Sequence, residues 1–389
     1  MAGIYIHIPY CKQACIYCNF HFSTSLHSRE AMVSAMLREM ELRQGYIAGE
    51  TVDTIYFGGG TPSLLTTREL NALMQKAHSL FDIHTDAEIT LEANPDDITV
   101  ETAAGWKYIG INRLSIGIQS FRDEDLVYMK RAHNGAEALA SIQAARKAGI
   151  TNFSIDLIYG VPGMQDEDWL ANLSMVSELT PPHFSAYALT VEDGTALAHH
   201  IRTGKTKPVD EDEAARHFML LKEWAERNGY LHYEISNFCL EEHHSKHNSS
   251  YWKGTHYLGI GPSAHSYNGL SRQWNAANNT VYIKKVTEGA GYYESEHLSP
   301  AQQHNEYLMT SLRTMQGCDI GYVAKKFGEQ AARELQMATG RLIAADLAAL
   351  EGNCLILTPA GMLLADKITS DLFIPDEATD TYPVQGSNL

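Results

Sequence analysis

Three cysteines near the start of the chain have a spacing that could hold an iron–sulfur cluster. Cys11, Cys15 and Cys18 form a C-x3-C-x2-C pattern in a loop that follows a predicted strand. Thiolates bind the irons of such clusters, and three of them leave one iron of a cubane open to a small molecule. The alternatives are a structural zinc site, with His7 or His21 as the fourth ligand, or three unrelated buried thiols.

Glycine and polar residues follow several other predicted strands. The sequence GGGTP occupies residues 58–62, where glycines would let the backbone approach a ligand closely, although a plain tight turn is the alternative. Its spacing is neither GxGxxG nor a P-loop, so a phosphate site is not predicted. Glu92, Gln119 and Asp156 lie at or near later strand ends. Because the carboxyl ends of parallel strands form one active face, these residues should converge on one small-molecule site.

A second segment, between residues 243 and 265, is dense in histidine and aromatic residues. Tyr251, Trp252 and Tyr257 could cover the faces of a macrocycle such as heme. The alternative is that the segment is an ordinary loop with surface and core histidines. The candidate ligands for heme iron are His243, His244, His247, His256 and His265.

Hydrophobic patterning in the first 190 residues predicts six strands that alternate with helices. Capping residues are expected at Ser28, Thr67 and Gly135. Repeated β-then-α units favour a parallel sheet with right-handed crossovers, and six fall short of the eight in a closed barrel. The predicted fold class is therefore α/β, with a partial (β/α)6 barrel. The predicted strands cover residues 4–8, 54–57, 88–92, 113–118, 153–158 and 184–189.

We predict four segments along the chain: a core barrel over 1–235, a His- and aromatic-rich connecting region over 236–298, a C-terminal domain over 299–375, and a disordered tail over 376–389. The C-terminal pattern resembles a winged-helix-like α+β domain. Its expected helices are 300–315, 320–327, 330–350 and 363–372, with a strand at 354–357. Residues 300–389 contain six Lys or Arg against eleven Asp or Glu, which argues against DNA reading and favours a protein contact or capping role.

Composition excludes several classes of function. The chain has 389 residues, of which 44% are hydrophobic and 20% charged, as in soluble globular proteins. A net charge of −17 without any basic run argues against a nucleic-acid partner. Six cysteines are too few for a disulfide scaffold. No long apolar stretch or signal peptide is found, so no transmembrane segment is expected and a cytoplasmic location is predicted.

The cysteine motif resembles that of the radical S-adenosylmethionine (SAM) superfamily, in which an aromatic residue, here Tyr17, precedes the last cysteine. The resemblance implies a [4Fe–4S] cluster whose open iron binds SAM. It narrows to the coproporphyrinogen III dehydrogenase-like branch over nearly the whole chain. The SAM contacts that it implies are Tyr5, Gly59, Gly60, Thr61, Glu92, Gln119, Arg131 and Asp156.

One departure points to a particular branch of this family. The dehydrogenases carry another cysteine two residues after the triad, where this chain has Phe20. That substitution is typical of heme chaperones, and residues 247–252 match the H-N-x-x-Y-W motif of that branch. The resemblance implies a heme site that includes His247, Asn248, Tyr251 and Trp252.

The resemblance further implies delivery of heme to hemoproteins such as membrane respiratory complexes. No coproporphyrinogen dehydrogenase activity is expected. The alternatives are an oxygen-independent coproporphyrinogen III dehydrogenase and a radical SAM enzyme acting on RNA or a peptide. Phe20 argues against the former, and the acidic charge against RNA.

Overall fold

Six parallel strands form the centre of a computed structural model that describes residues 1–376. They neighbour one another in chain order, and each adjacent pair is parallel. The predicted α/β class and its six-stranded partial barrel are therefore confirmed. The strands are β1 (Ala2–Ile8), β2 (Val52–Gly59), β3 (Ile83–Ala93), β4 (Arg113–Gln119), β5 (Phe153–Tyr159) and β6 (His183–Ala188).

Alternation along these strands explains the two sides of the sheet. In β1, Ile4, Ile6 and Ile8 are at most 1% exposed, whereas Tyr5 and His7 project from the opposite side. The isoleucines pack against the helices outside the sheet, and the side chains of Tyr5 and His7 therefore face the barrel interior. The helices that cover this part of the sheet are α1 (Arg29–Arg43), α2 (Thr67–Leu80), α3 (Val100–Tyr108), α4 (Asp123–Tyr128), α5 (Gly135–Lys147) and α6 (Asp166–Leu179).

Of the three predicted helix caps, Ser28 does occupy the N-cap of α1, whereas Thr67 and Gly135 were wrong by one residue. The α2 and α5 capping boxes use Thr66 and Asn134, each one residue before the predicted cap. Ser28 precedes α1 but makes no side-chain capping bond, because its Oγ lies 2.8 Å from the Tyr10 hydroxyl. This hydrogen bond instead ties the start of α1 to the segment that follows β1.

The region after β6 extends the sheet at both edges. Strand β8 pairs antiparallel with β6, and β9 pairs parallel with β1, so residues 236–298 supply strands to the same twelve-stranded sheet. The elements are α7 (Ala196–Arg202), α8 (Glu211–Arg227), β7 (Leu231–Glu234), β8 (Asn237–Cys239), α9 (Lys246–Trp252), β9 (His256–Ile260), β10 (His265–Tyr267), β11 (Ser271–Asn275), α10 (Asn279–Glu288) and β12 (Tyr293–His297).

The chain divides into two compact units, residues 1–296 and the part from His297 onward. The second unit contains a small antiparallel sheet in the order β13-β15-β14. The predicted tail lies outside the described residues except for Asp376. The elements are α11 (Pro300–Ser311), β13 (Cys318–Asp319), α12 (Ile320–Phe327), α13 (Glu329–Ala344), β14 (Ala348–Glu351), β15 (Cys354–Leu357), α14 (Pro359–Leu363) and α15 (Ala365–Asp371).

The helix expected over 330–350 was wrong at its end. Helix α13 stops at Ala344, Asp346 adopts a φ of 59°, and the next residues pair as β14 with β15. The alanine- and leucine-rich run suits either state locally, and the strand pairing decides it. Within residues 1–376, no helix combines the length and the apolar character needed to cross a membrane.

Candidate cluster and cofactor site

The cysteine loop leaves the C-terminal end of β1 and is held by its neighbours. Cys11, Cys15 and Cys18 are free, partly exposed thiols. The Cys11 amide donates to the Ser23 carbonyl at 3.0 Å, and Arg131 Nη1 donates to Cys15 Sγ at 3.3 Å. The three thiols thus share one ordered loop, with a guanidinium beside them.

The two histidines considered as zinc ligands are used by the fold. His7 Nδ1 bonds the Tyr5 hydroxyl at 3.2 Å, and its Nε2 bonds the His21 carbonyl at 2.9 Å. His21 Nε2 lies 2.7 Å from Asn279 Oδ1. In residues 1–376, no three His, Cys, Asp or Glu side chains converge on a single ion. The three cysteines by themselves fit a cubane, in which each thiolate binds a different iron.

The glycines of residues 58–62 let the end of β2 pass directly beneath the cysteine loop. A Cβ on Gly60 would lie 2.6 Å from the Tyr10 carbonyl oxygen, and one on Gly59, whose φ is 104°, would lie 2.5 Å from the His7 ring. The Thr61 amide donates to the Tyr10 carbonyl at 2.6 Å. Close packing of the chain on itself therefore already requires these glycines, and their contact with SAM stays a prediction.

Two carboxylates line the polar interior of the barrel. Glu92 accepts hydrogen bonds from the Tyr56 hydroxyl at 2.7 Å and the Gly59 amide at 3.2 Å. Asp156 accepts from Ser115 Oγ at 3.2 Å. Burial, with the nearby charge of Asp156, raises the pKa of Glu92 to about 7. Burial likewise raises the pKa of Asp156. Both side chains keep partial solvent exposure, so a polar ligand entering the barrel could reach them.

Arg131 and Gln119 stand near the cysteine loop at the end of β4. Arg131 Nη2 donates to Asn94 Oδ1 and to the Gly117 carbonyl, each at 2.8 Å. Gln119 has a φ of 68°, a left-handed conformation that costs free energy outside glycine and often occurs at ligand sites. Arg131 could pair with an anionic group held beside Cys15.

Helix α9, which carries the H-N-x-x-Y-W motif, enters the opposite end of the barrel. Glu88 accepts from the amides of Lys246 and His247, at 3.2 and 3.0 Å, at the helix N-terminus. The His247 ring is 1% exposed and stacks on Tyr56 with ring centroids 4.9 Å apart. The imidazole of His247 is therefore packed inside the barrel at the end opposite the cysteine loop, which we call the barrel floor.

Heme binding by His247 stays a prediction, and in this structure both nitrogens of its ring have hydrogen-bond partners. Its Nδ1 lies 2.7 Å from Thr54 Oγ1, and its Nε2 lies 2.9 Å from the Tyr251 hydroxyl. Tyr251 also packs edge-on against Tyr257, with centroids 4.8 Å apart. The side chains of Asn248, Tyr251 and Trp252 are partly exposed. Iron could therefore bind this imidazole only after one of these two hydrogen bonds was broken.

The other candidate histidines differ in their surroundings. His256 Nδ1 lies 2.7 Å from Glu50 Oε1, and the His244 ring lies 4.6 Å from that of Tyr233. His243 and His265 are exposed. His243 and His265 are therefore the two exposed imidazoles of this set. His244, His247 and His256 are hydrogen-bonded or at least partly buried.

Several inward residues of this site were missed at the sequence level, namely Tyr56, Glu88, Arg113 and Ser115. Arg113 is 1% exposed, its guanidinium nitrogens make no hydrogen bond within residues 1–376, and Glu88 lies 3.9 Å away. Alternation was the available signal, because in each strand a polar residue separates buried apolar ones.

The parallel partial barrel and the cysteine loop at its mouth define the radical SAM class of protein. A model of the Radical SAM superfamily matches residues 5–176, and a HemN C-terminal domain model matches residues 298–364. The chain is 34% identical over 378 residues to the heme chaperone HemW of Mycobacterium tuberculosis, covering 95% of this chain and 94% of the relative.

The heme chaperone HemW of Bacillus subtilis is 30% identical over 371 residues, covering 95% of this chain and 98% of the relative. The chain therefore belongs to the HemW family. Coproporphyrinogen III oxidase (HemN) from Escherichia coli shares the fold, with a TM-score of 0.82 and 23% identity over 96% of this chain and 90% of that one.

Proposed function

We propose that the chain is a heme chaperone that also binds a [4Fe–4S] cluster and SAM. Cys11, Cys15 and Cys18 would hold the cluster, which in this family supplies an electron to bound SAM. The observation that carries the chaperone assignment is Phe20, which replaces the additional cysteine of the dehydrogenases. Its side chain is 66% exposed beside the cluster loop.

The residues of this chain bind and orient SAM in the proposal. Arg131, beside Cys15, pairs with the carboxylate of SAM, since guanidinium and carboxylate form strong charge-assisted hydrogen bonds. Glu92 and Asp156 accept hydrogen bonds from the ribose diol. Tyr56 and Ser115 hold these two carboxylates in place.

Tyr5, Gly59, Gly60, Thr61 and Gln119 complete the proposed SAM site. The Tyr5 ring stacks on Tyr56, with centroids 6.1 Å apart, and so belongs to the same interior layer. The Asn94 amide donates to Thr61 Oγ1 at 3.3 Å, which links Thr61 to the residue that also accepts from Arg131. These contacts support one continuous cofactor pocket.

The heme-delivery role is supported by the relatives, which are named heme chaperones and are similar to this chain over nearly its full length. We propose hemoproteins as recipients, including membrane respiratory complexes, and a cytoplasmic site of action. H-N-x-x-Y-W residues His247, Asn248, Tyr251 and Trp252 would support heme binding by shaping the barrel floor and the neighbouring strands.

A single anaerobic preparation tests the proposal. The protein is reconstituted with iron and sulfide, titrated with hemin, and then mixed with an apo-hemoprotein whose activity reports heme transfer. Binding of about one heme per chain followed by transfer supports the chaperone. The same sample is assayed with coproporphyrinogen III, reductant and excess SAM. Conversion of that substrate, or failure to bind hemin, contradicts the proposal.

A further inference from the structure

His265 presents an available imidazole at the edge of the barrel. It begins β10, is exposed to solvent, and neither ring nitrogen makes a hydrogen bond within the described part of the chain. His247 and His256, by contrast, have ring nitrogens bonded to Thr54 and Glu50. Ligation of iron needs a free imidazole nitrogen, which His265 can supply without any change of fold.

The turn before His265 places it on the cluster side of the sheet. Strand β9 runs parallel to β1, and a Cβ on Gly261, just after β9, would lie 2.5 Å from the His7 carbonyl oxygen. The His7 ring is in turn 6.2 Å from that of His21, three residues after Cys18. His243 lies in the loop before α9, whose His247 sits at the other end of the barrel, beside Thr54.

An indole and a cation accompany this imidazole. His265 pairs directly across the strands with Trp274, so the two side chains share one face, with ring centroids 6.4 Å apart. Arg272 pairs with Tyr267 on the same face.

We propose that His265 is an axial ligand of heme iron, with Trp274 against the macrocycle and Arg272 near a propionate. This inference rests on the proposed heme-binding function. It places the heme on the side of the sheet that faces the barrel interior, next to the cysteine loop. Phe20, two residues after Cys18, also exposes its apolar ring to solvent. Imidazole, a flat apolar ring and a guanidinium are the groups that recognise an iron porphyrin with carboxylate arms.

Hemin titration of the full chain with its reconstituted cluster tests the site. His265→Ala should weaken hemin binding at least about tenfold and alter the axial-ligand spectrum, and added imidazole should restore that spectrum. Trp274→Leu should weaken binding about threefold to tenfold and leave the spectrum unchanged, because it removes contact area only. His243→Ala is the matched control, an exposed histidine at the other end of the barrel, and should behave as wild type.

The outcomes separate this inference from the proposed function. Wild-type protein that fails to bind hemin contradicts the function itself, before any variant is compared. Wild type that binds hemin while His265→Ala keeps the same affinity and spectrum overturns the assignment of His265. Loss of the signal in His243→Ala alone overturns it as well. Cluster absorbance and thermal unfolding, recorded for each variant, distinguish a lost ligand from a lost fold.

Discussion

The imidazole of His247 joins α9 to β2 through a hydrogen bond of 2.7 Å between its Nδ1 and Thr54 Oγ1. These residues are separated by 193 positions in the chain, and the contact is buried. Burial lowers the pKa of His247 to about 3, so the ring stays neutral in the folded state. The motif histidine is thus part of the packing at the barrel floor.

His247→Ala should destabilise the fold by about 2–4 kcal/mol, because it removes a buried ring and leaves the Thr54 and Tyr251 hydroxyls without this partner. Urea unfolding measures the effect. His243→Ala, an exposed histidine nearby in sequence, should change stability by under about 0.5 kcal/mol. A His247→Ala protein of unchanged stability that no longer binds hemin would instead restore His247 as the ligand.

Cluster content should depend on three of the six cysteines. Reconstituted wild type should hold about four iron and four sulfide per chain, and Cys15→Ala should lose the cluster absorbance. Cys239→Ala, Cys318→Ala and Cys354→Ala should retain it, because these thiols lie outside the loop. A full cluster spectrum in Cys15→Ala would contradict the cluster assignment.

Glu92→Ala and Asp156→Ala should each weaken SAM binding about tenfold to hundredfold, since loss of a hydrogen bond to a charged group costs about 1.5–3 kcal/mol. Iron content should stay near that of wild type. Equilibrium dialysis with labelled SAM gives the affinity, and Glu101→Ala, on the surface of α3, is the control. SAM affinity that is equal in all three variants would mean that the pocket lies elsewhere.

SAM affinity should fall as the pH drops from about 8 to about 6. The pKa of Glu92 is raised to about 7, so its carboxylate gains a proton over this range and loses an acceptor for the ribose hydroxyls. Asp156 and Arg113 act on this carboxylate in opposite directions, the first favouring protonation and the second opposing it. Glu92→Gln should lose this pH step. A step of the same size in Glu92→Gln would assign it to another group.

Coproporphyrinogen III should not be converted to protoporphyrinogen IX by this chain, even with reductant and excess SAM. Phe20 stands where the dehydrogenases carry a cysteine, and its exposed ring offers no thiol at that position. Anaerobic incubation followed by chromatography of the oxidised porphyrins measures turnover. Robust conversion would make the chain a dehydrogenase.

The sequence alone predicted features that depend on nearby residues. The spacing of Cys11, Cys15 and Cys18 is local, so the cluster loop could be recognised before any fold was known. The strands and helices of the barrel repeat a short βα pattern whose hydrophobic periods are visible in single windows. All six core strands were located, with differences at their ends of a few residues.

The surroundings of the H-N-x-x-Y-W motif were decided only by the tertiary structure. The same histidine could ligate iron or fill a core, and the choice depends on Thr54 and Glu88, which are distant in sequence. The strands β9 to β11 likewise join the sheet only because β1 offers a free edge, and that pairing brings His265 toward the cluster side. Short segments carry weak local preferences, so long-range contacts determine their structure and the surroundings of their side chains.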